Sequence, residues 1–189
     1  MYLSEMILRV WMQEALQQKP YPSTLFPPSP YYRFLGILAR ELKPKVSVVL
    51  GVCGGGDCLH IALGNPNGKV IGIDIAEDHP QQISFIQQTC PNFIFWLGDS
   101  INSADEIHQK YGPPSLLFID TTHTYKQTIL EISAWMSYLT SSYIICFDDL
   151  FRKEMLNFWE ELTEPKLRLD NLHDGAESGG GFGVMWSYG

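Results

Sequence analysis

Five short and almost wholly apolar runs, each followed by a stretch of helical periodicity, constrain what this 189-residue chain can fold into. They are VSVVL (46–50), KVIGID (69–74), FIFWL (93–97), LLFID (116–120) and YIICF (143–147). A strand with one face in water alternates apolar and polar residues, whereas a strand covered on both faces is apolar throughout. Strands that alternate with helices through short links build a parallel sheet with helices packed on it. The expected fold class is therefore α/β and doubly wound.

The intervening segments support this. Helices are expected over Asp57–Leu63, from Pro80 with Ile83, Ile86 and Cys90 on one face, over Ile101–Tyr111, around Ile129, Ile132, Met136 and Leu139, and over Lys153–Leu162. The tail differs: KLRLDNL (166–172) and FGVMWSY (182–188) are strand-like and have no helix between them, so they are expected to pair as a hairpin at one edge. Ahead of the core, residues 2–17 carry Leu3, Ile7, Val10 and Trp11 at helical spacing. A proline-rich connector follows, and Ser29-Pro30 then starts a second helix through Leu35, Leu38 and Leu42. Residues 1–44 thus form an N-terminal helical cap segment and residues 45–189 the main body of one globular domain.

Composition narrows the partners. The net charge is −8, so the chain lacks the electrostatic footprint of a general nucleic-acid binder. No stretch approaches the ~18 apolar residues of a membrane helix, and the N-terminus, interrupted by Arg9 and Glu14, is not a signal peptide. Cys53, Cys58, Cys90 and Cys146 show no CxxC spacing and read as free thiols of a reducing, cytoplasmic compartment.

The first strand runs into Gly51-Val52-Cys53-Gly54-Gly55-Gly56-Asp57. Glycines at the carboxyl end of a strand let the backbone turn tightly and approach a ligand, and open α/β sheets bind ligands there. The dinucleotide pattern GxGxxG fails because position 53 is Cys, and no Gly-Lys-Ser/Thr follows as in a P-loop. Asp74 ends the second strand, where a carboxylate can accept both hydroxyls of a ribose or serve a turn. Gly98-Asp99-Ser100 follows the third, where it can meet a base edge, cap a helix, or do both.

In that order, these motifs resemble the class I S-adenosylmethionine-dependent methyltransferases. The similarity is greatest to the small subgroup with an E-x-G-V-x-x-G-G-S loop and a FIDGDHSY segment; here the segments read VLGVCGGGD (49–57), VIGIDI (70–75), GDS (98–100), FIDTTHTY (118–125) and CFDDL (146–150). The resemblance implies a Rossmann-like seven-stranded sheet, mostly parallel, with one antiparallel strand from the C-terminal hairpin. It implies that Gly51, Val52, Gly54 and Gly55 face the methionine part of S-adenosylmethionine, that Asp74 holds the ribose, that Ile75 packs on adenine and that Asp99 and Ser100 face its amine. Val49 stands where the family usually has an acidic residue.

Asp120 ends the fourth strand and Asp148 and Asp149 end the fifth. Three carboxylates at neighbouring strand ends repel one another unless a cation lies between them, and oxygen ligands suit Mg²⁺ or a similar divalent ion. Metal-dependent O-methyltransferases have a similar arrangement, in which the metal acidifies the substrate hydroxyl. Asp120 is expected to serve cofactor and metal alike, and with His123, a fit general base near neutral pH, it forms the expected catalytic pair.

The expected function is methyl transfer from S-adenosylmethionine to the hydroxyl of a small-molecule acceptor, with a divalent cation, and with no nucleic-acid or membrane partner. A second reading is a non-catalytic cofactor-binding or regulatory domain on the same fold, motivated by Val49 and the altered FIDTTHTY loop; a nicotinamide-dependent oxidoreductase ranks third. Acceptor choice falls to residues 1–44 and the loops 121–125, 150–153 and 173–181. In the N-terminal part Tyr21, Phe26, Tyr31 and Tyr32 either wall the mouth or pack a helix onto the sheet; the segment is also a candidate dimer contact.

Overall fold

The computed structural model describes residues 3–172 and 180–187. Helices α1 (Glu5–Gln17) and α2 (Pro30–Leu42) lead into an alternating core: β1 (Val46–Leu50), α3 (Gly56–Gly64), β2 (Lys69–Asp74), α4 (Pro80–Thr89), β3 (Phe93–Leu97), α5 (Ala104–Tyr111), β4 (Leu116–Ile119), α6 (Tyr125–Trp135), β5 (Tyr143–Phe147) and α7 (Lys153–Glu161). The short β6 (Lys166–Arg168) and β7 (Gly183–Ser187) close the chain. The seven strands lie in the order β3-β2-β1-β4-β5-β7-β6. β1 to β5 are parallel to their neighbours, and β7 alone runs antiparallel, between β5 and β6. This is the mostly parallel, Rossmann-like α/β sheet that the alternating runs predict.

The apolar runs divide between two cores because strand side chains alternate in direction. Val49, Val70, Phe93, Phe118, Cys146 and Val184 face the layer with α1 to α4, whereas Val48, Leu50, Ile71, Ile119, Phe147 and Met185 face the layer with α5 to α7. Helix α2 belongs to the first core: Phe34, Leu35 and Leu38 are fully buried. Arg33 fastens α1 to α2 by donating from Nε to the Ala15 carbonyl, 2.8 Å away, and from a terminal nitrogen to that of Pro28.

Boundaries move where side chains or the partner strand intervene. The helix expected from Ile101 starts at Ala104, because Asp99 first takes the Ile101 and Asn102 amides into a turn. The helix expected through Leu139 ends at Trp135 and tightens into a 3₁₀ turn over Met136–Tyr138. The edge strand expected over 166–172 stops at Arg168, whose partner is Gly183, the first residue of β7; Asp170–Leu172 then forms a 3₁₀ turn. His173, most of the 173–181 loop and Tyr188 lie outside the described residues.

Candidate active site

The site is built at the carboxyl edge of β1, β2 and β4. Leaving β1, the chain turns at Gly51 with φ +82°, and its amide bonds to the Ile73 carbonyl at 2.9 Å. A Cβ on Gly51 would lie 2.0 Å from the Asp120 carbonyl oxygen, so β1 and β4 can only be this close with glycine. Gly55, at φ +73°, stands just before α3. A Cβ on Gly54 would meet nothing within 4 Å, so protein packing does not require a glycine there. The loop is tied back by Asp74, whose Oδ2 accepts the amides of Val52 and Cys53 at 2.8 and 3.0 Å. Val52 itself points inward and is buried.

Beside the loop opens a cavity of ≈ 410 Å³ lined by Gly51, Asp74, Ile75, Asp99, Ser100 and Asp120, together with Cys53, Thr121, Thr122 and Gln127. Six of the residues expected to hold a cofactor thus surround one space. Ile75 is 77 % exposed there, an apolar side chain at the mouth with little protein to cover it. Asp99 Oδ1 is engaged by the Ile101 and Asn102 amides, and Ser100 Oγ donates to Glu131 Oε1 at 2.6 Å. Glu131 is a residue the sequence reading misses. It is fully buried, and it also accepts from Thr121 Oγ1 and Gln127 Nε2, both at 3.0 Å. The only sequence signal is spacing: Gln127, Glu131 and Trp135 lie four residues apart on one face of α6, and the Trp135 indole donates to the Ser100 carbonyl.

The cavity reaches Asp120, where the acidic cluster begins. His123, in a left-handed conformation at φ +53°, places Nε2 2.8 Å from Asp120 Oδ1 and Nδ1 3.3 Å from Asp149 Oδ2. Burial opposes the charged imidazolium, but the hydrogen bond to Asp120 and the charges of Asp120, Asp149 and Asp148 outweigh it, and the His123 pKa is raised. Asp120 is also raised, by burial first and by Asp148 and Asp149 against the pull of His123. Tyr31 packs on Phe118 and Phe182 near this cluster, and burial then Asp120 and Asp148 drive its phenol far up, so it stays neutral.

Asp120, His123 and Asp148 each offer a ligand atom, all within 4.8 Å of one another. Of the three carboxylates expected to share a cation, Asp120 and Asp148 meet, with the His123 imidazole as the third donor. Asp149, at φ +55°, is not one of the three donors: its Oδ2 accepts from Arg152 Nε at 2.7 Å while facing His123 Nδ1. Arg152, in a loop the sequence leaves without a motif, is the cation that fixes Asp149 at this mouth. Two carboxylates and an imidazole fit a divalent cation chemically, Mn²⁺ as well as Mg²⁺, because a nitrogen has joined the oxygens. Of the N-terminal aromatics, Phe26 and Tyr21 meet Phe85 and Tyr32 stacks on His60, which is packing rather than a wall around the mouth. Tyr125 faces α7, donating to Glu161, and Lys126 is exposed.

A glycine turn after β1, a carboxylate at the end of β2 and an acid cluster after β4 and β5 define an enzyme of the doubly wound α/β class, with a cavity beside an imidazole–carboxylate cluster. Residues 48–150 match the sequence model of a family described as methyltransferase domain, and the chain belongs to that family. No protein of curated function matches at the sequence level. Solved structures share the fold. The O-methyltransferase from Bacillus cereus in complex with SAH is 16 % identical, with TM-score 0.67 over 100 % of this chain and 93 % of that one. The O-methyltransferase TomG from Streptomyces achromogenes, involved in tomaymycin synthesis and solved with SAM, is 15 % identical, with TM-score 0.71 over 100 % of both chains. Cofactor-bound Rv0187 from MTB is 16 % identical, with TM-score 0.70 over 95 % of this chain and 87 % of that one. No helix among the described residues is long and apolar enough to cross a membrane.

Proposed function

We propose that this methyltransferase transfers a methyl group from S-adenosylmethionine to a hydroxyl of a small-molecule acceptor. The observation that carries the reading is continuity: the cavity bounded by Gly51, Asp74 and Ile75 ends at Asp120, which is hydrogen-bonded to His123. Asp74 keeps Oδ2 on the glycine loop and offers Oδ1, which also accepts the Ala76 amide at 3.4 Å, to a ribose diol, while Ile75 offers an apolar face to adenine. The open space at Gly54 suits the methionine part. The O-methyltransferases named above, one solved with SAH and one with SAM, support the same class of chemistry.

The cofactor supplies a sulfonium methyl group; the acceptor oxygen bonds to that carbon as the carbon–sulfur bond breaks and its electron pair stays on sulfur. The protein's tasks are alignment and proton removal. Where no metal is held, His123 takes the hydroxyl proton at Nδ1, the nitrogen with the longer carboxylate contact, while Asp120 accepts from Nε2–H and, with Asp149, stabilises the imidazolium that results. A divalent cation, held by Asp120, Asp148 and a His123 nitrogen, would acidify the bound hydroxyl. A metal-free form is the second reading, favoured by one observation: both ring nitrogens of His123 already face carboxylates.

Calorimetry with S-adenosylmethionine and S-adenosylhomocysteine tests the class. Micromolar binding of both is expected, with no binding of NAD; binding of neither adenosyl ligand overturns the reading.

A further inference from the structure

We infer that Gln127, with its amide oriented by the buried Glu131, recognises the 6-amino group of the nucleobase and so makes the cavity specific for adenine. This rests on the cofactor reading above and adds to it the residue that reads the base.

Three observations point the same way. Of the β3–α5 loop residues that line the cavity, Ser100 donates from Oγ to Glu131 and Asp99 holds two amides on Oδ1, so Asp99 Oδ2 is the one side-chain oxygen there left to compete for the amine. Gln127 lines the cavity from the first turn of α6. Its Nε2 lies 3.0 Å from Glu131 Oε1 and 3.4 Å from Ser100 Oγ. A carboxylate accepts hydrogen bonds and cannot donate, so the end of the amide that faces Glu131 has to be the NH₂ group. The carbonyl oxygen is then the free end, and no donor among the described residues is recorded on it.

Glu131 can impose this orientation because it is itself immobilised. It is fully buried on α6, receives Ser100 and Thr121 hydroxyls on its two oxygens, and is backed by Trp135, which pins the Ser100 carbonyl. Glu131 is a positioning residue, because it acts through Gln127 and Ser100. An amide oxygen fixed in this way accepts from an exocyclic amine and meets a 6-oxo group with lone pairs on both sides. Buried polar groups discriminate most strongly when the wrong ligand leaves them unpaired.

The test is calorimetry of the full chain with S-adenosylhomocysteine and with its 6-oxo counterpart, S-inosylhomocysteine. The wild type is expected to prefer the amino ligand at least ~30-fold. Gln127→Leu, a change at a half-buried position with little bearing on the fold, brings the two affinities to within about threefold. Glu131→Gln, which frees the amide to turn, reduces the preference while still binding the amino ligand. A role confined to structure would lower the melting temperature and leave the preference intact. Full preference in Gln127→Leu, or its loss in Asp99→Asn alone, overturns the inference but leaves the cofactor reading standing. Absence of binding by either ligand to the wild type overturns the cofactor reading itself.

Discussion

His123 Nε2 lies 2.8 Å from Asp120 Oδ1, so the imidazole at the mouth is held by a carboxylate that also lines the cavity proposed for the cofactor. The ring's other nitrogen faces Asp149, which Arg152 anchors in turn. In the proposed function, proton handling and cofactor binding therefore share one residue. Asp120→Asn is expected to lower turnover at least ~10²-fold, a typical loss for an acid–base group. If a cation is held, chelation and Asp148→Asn each abolish turnover and leave S-adenosylhomocysteine affinity unchanged, as read by calorimetry. Turnover that survives both, and falls only in His123→Ala, assigns proton removal to the imidazole without metal.

Gly51 and Gly54 are three residues apart in the same loop, but the protein needs them for different reasons. Gly51 is required by φ +82° and by the Asp120 carbonyl, 2.0 Å from where a Cβ would sit. Gly51→Ala is expected to cost at least ~2 kcal/mol, or roughly 4–8 °C in melting temperature. Gly54 has open space instead. Gly54→Val should melt within ~2 °C of the wild type yet bind S-adenosylhomocysteine at least ~10-fold more weakly, because its side chain enters the space proposed for the methionine part. Unchanged affinity would place the cofactor elsewhere.

Asp74 supports the loop and the proposed ribose site with different oxygens. Asp74→Asn keeps an acceptor for the Val52 and Cys53 amides but turns the other oxygen into a donor. S-adenosylhomocysteine affinity is expected to fall about 10–100-fold, the loss of one or two charge-assisted hydrogen bonds, with the melting temperature little changed. Asp74→Ala should lower both. Equal melting temperatures in the two variants would mean that the loop does not depend on the carboxylate.

Much of this was legible in the residues. β1 to β5 are almost wholly apolar because helices pack on both faces of the sheet, and Asp74, Asp120 and Asp148 stand at strand ends, where a ligand site is expected. Glu131 was hidden. A glutamate in mid-helix ordinarily faces water, and what buries this one is a pair of hydroxyls from 31 and 10 residues earlier, Ser100 and Thr121. The parts of Asp148 and Asp149 were not separable: consecutive aspartates look alike in sequence, and only the structure groups Asp148 with Asp120 and His123 while Arg152 and His123 share Asp149. The N-terminal aromatics were ambiguous because packing and lining a mouth call for the same side chains.

Asp57 predicts an inverted pH dependence of stability. It is the first-turn carboxylate of α3, only 2 % exposed, and burial lifts its pKa to about 8. Asp120 and Asp148, across the strand ends, push the same way, while the Cys58 amide opposes them. Tyr32 from α2 and the Cys58 thiol also face it, both neutral because their own pKa values are raised. An unfolded Asp loses its proton near pH 4, whereas the folded one keeps it to about pH 8. Between those values the folded state binds the extra proton, so stability falls as pH rises, by at most about 1.4 kcal/mol per pH unit from this group. Asp57→Asn, nearly equal in volume and never charged, removes that slope. The two proteins should therefore melt at similar temperatures near pH 4.5, and at pH 8 the variant should melt higher by up to roughly 8–16 °C, the equivalent of about 4 kcal/mol. A difference that stays constant from pH 4.5 to 8 would show that Asp57 is ionised throughout and has a partner for its charge.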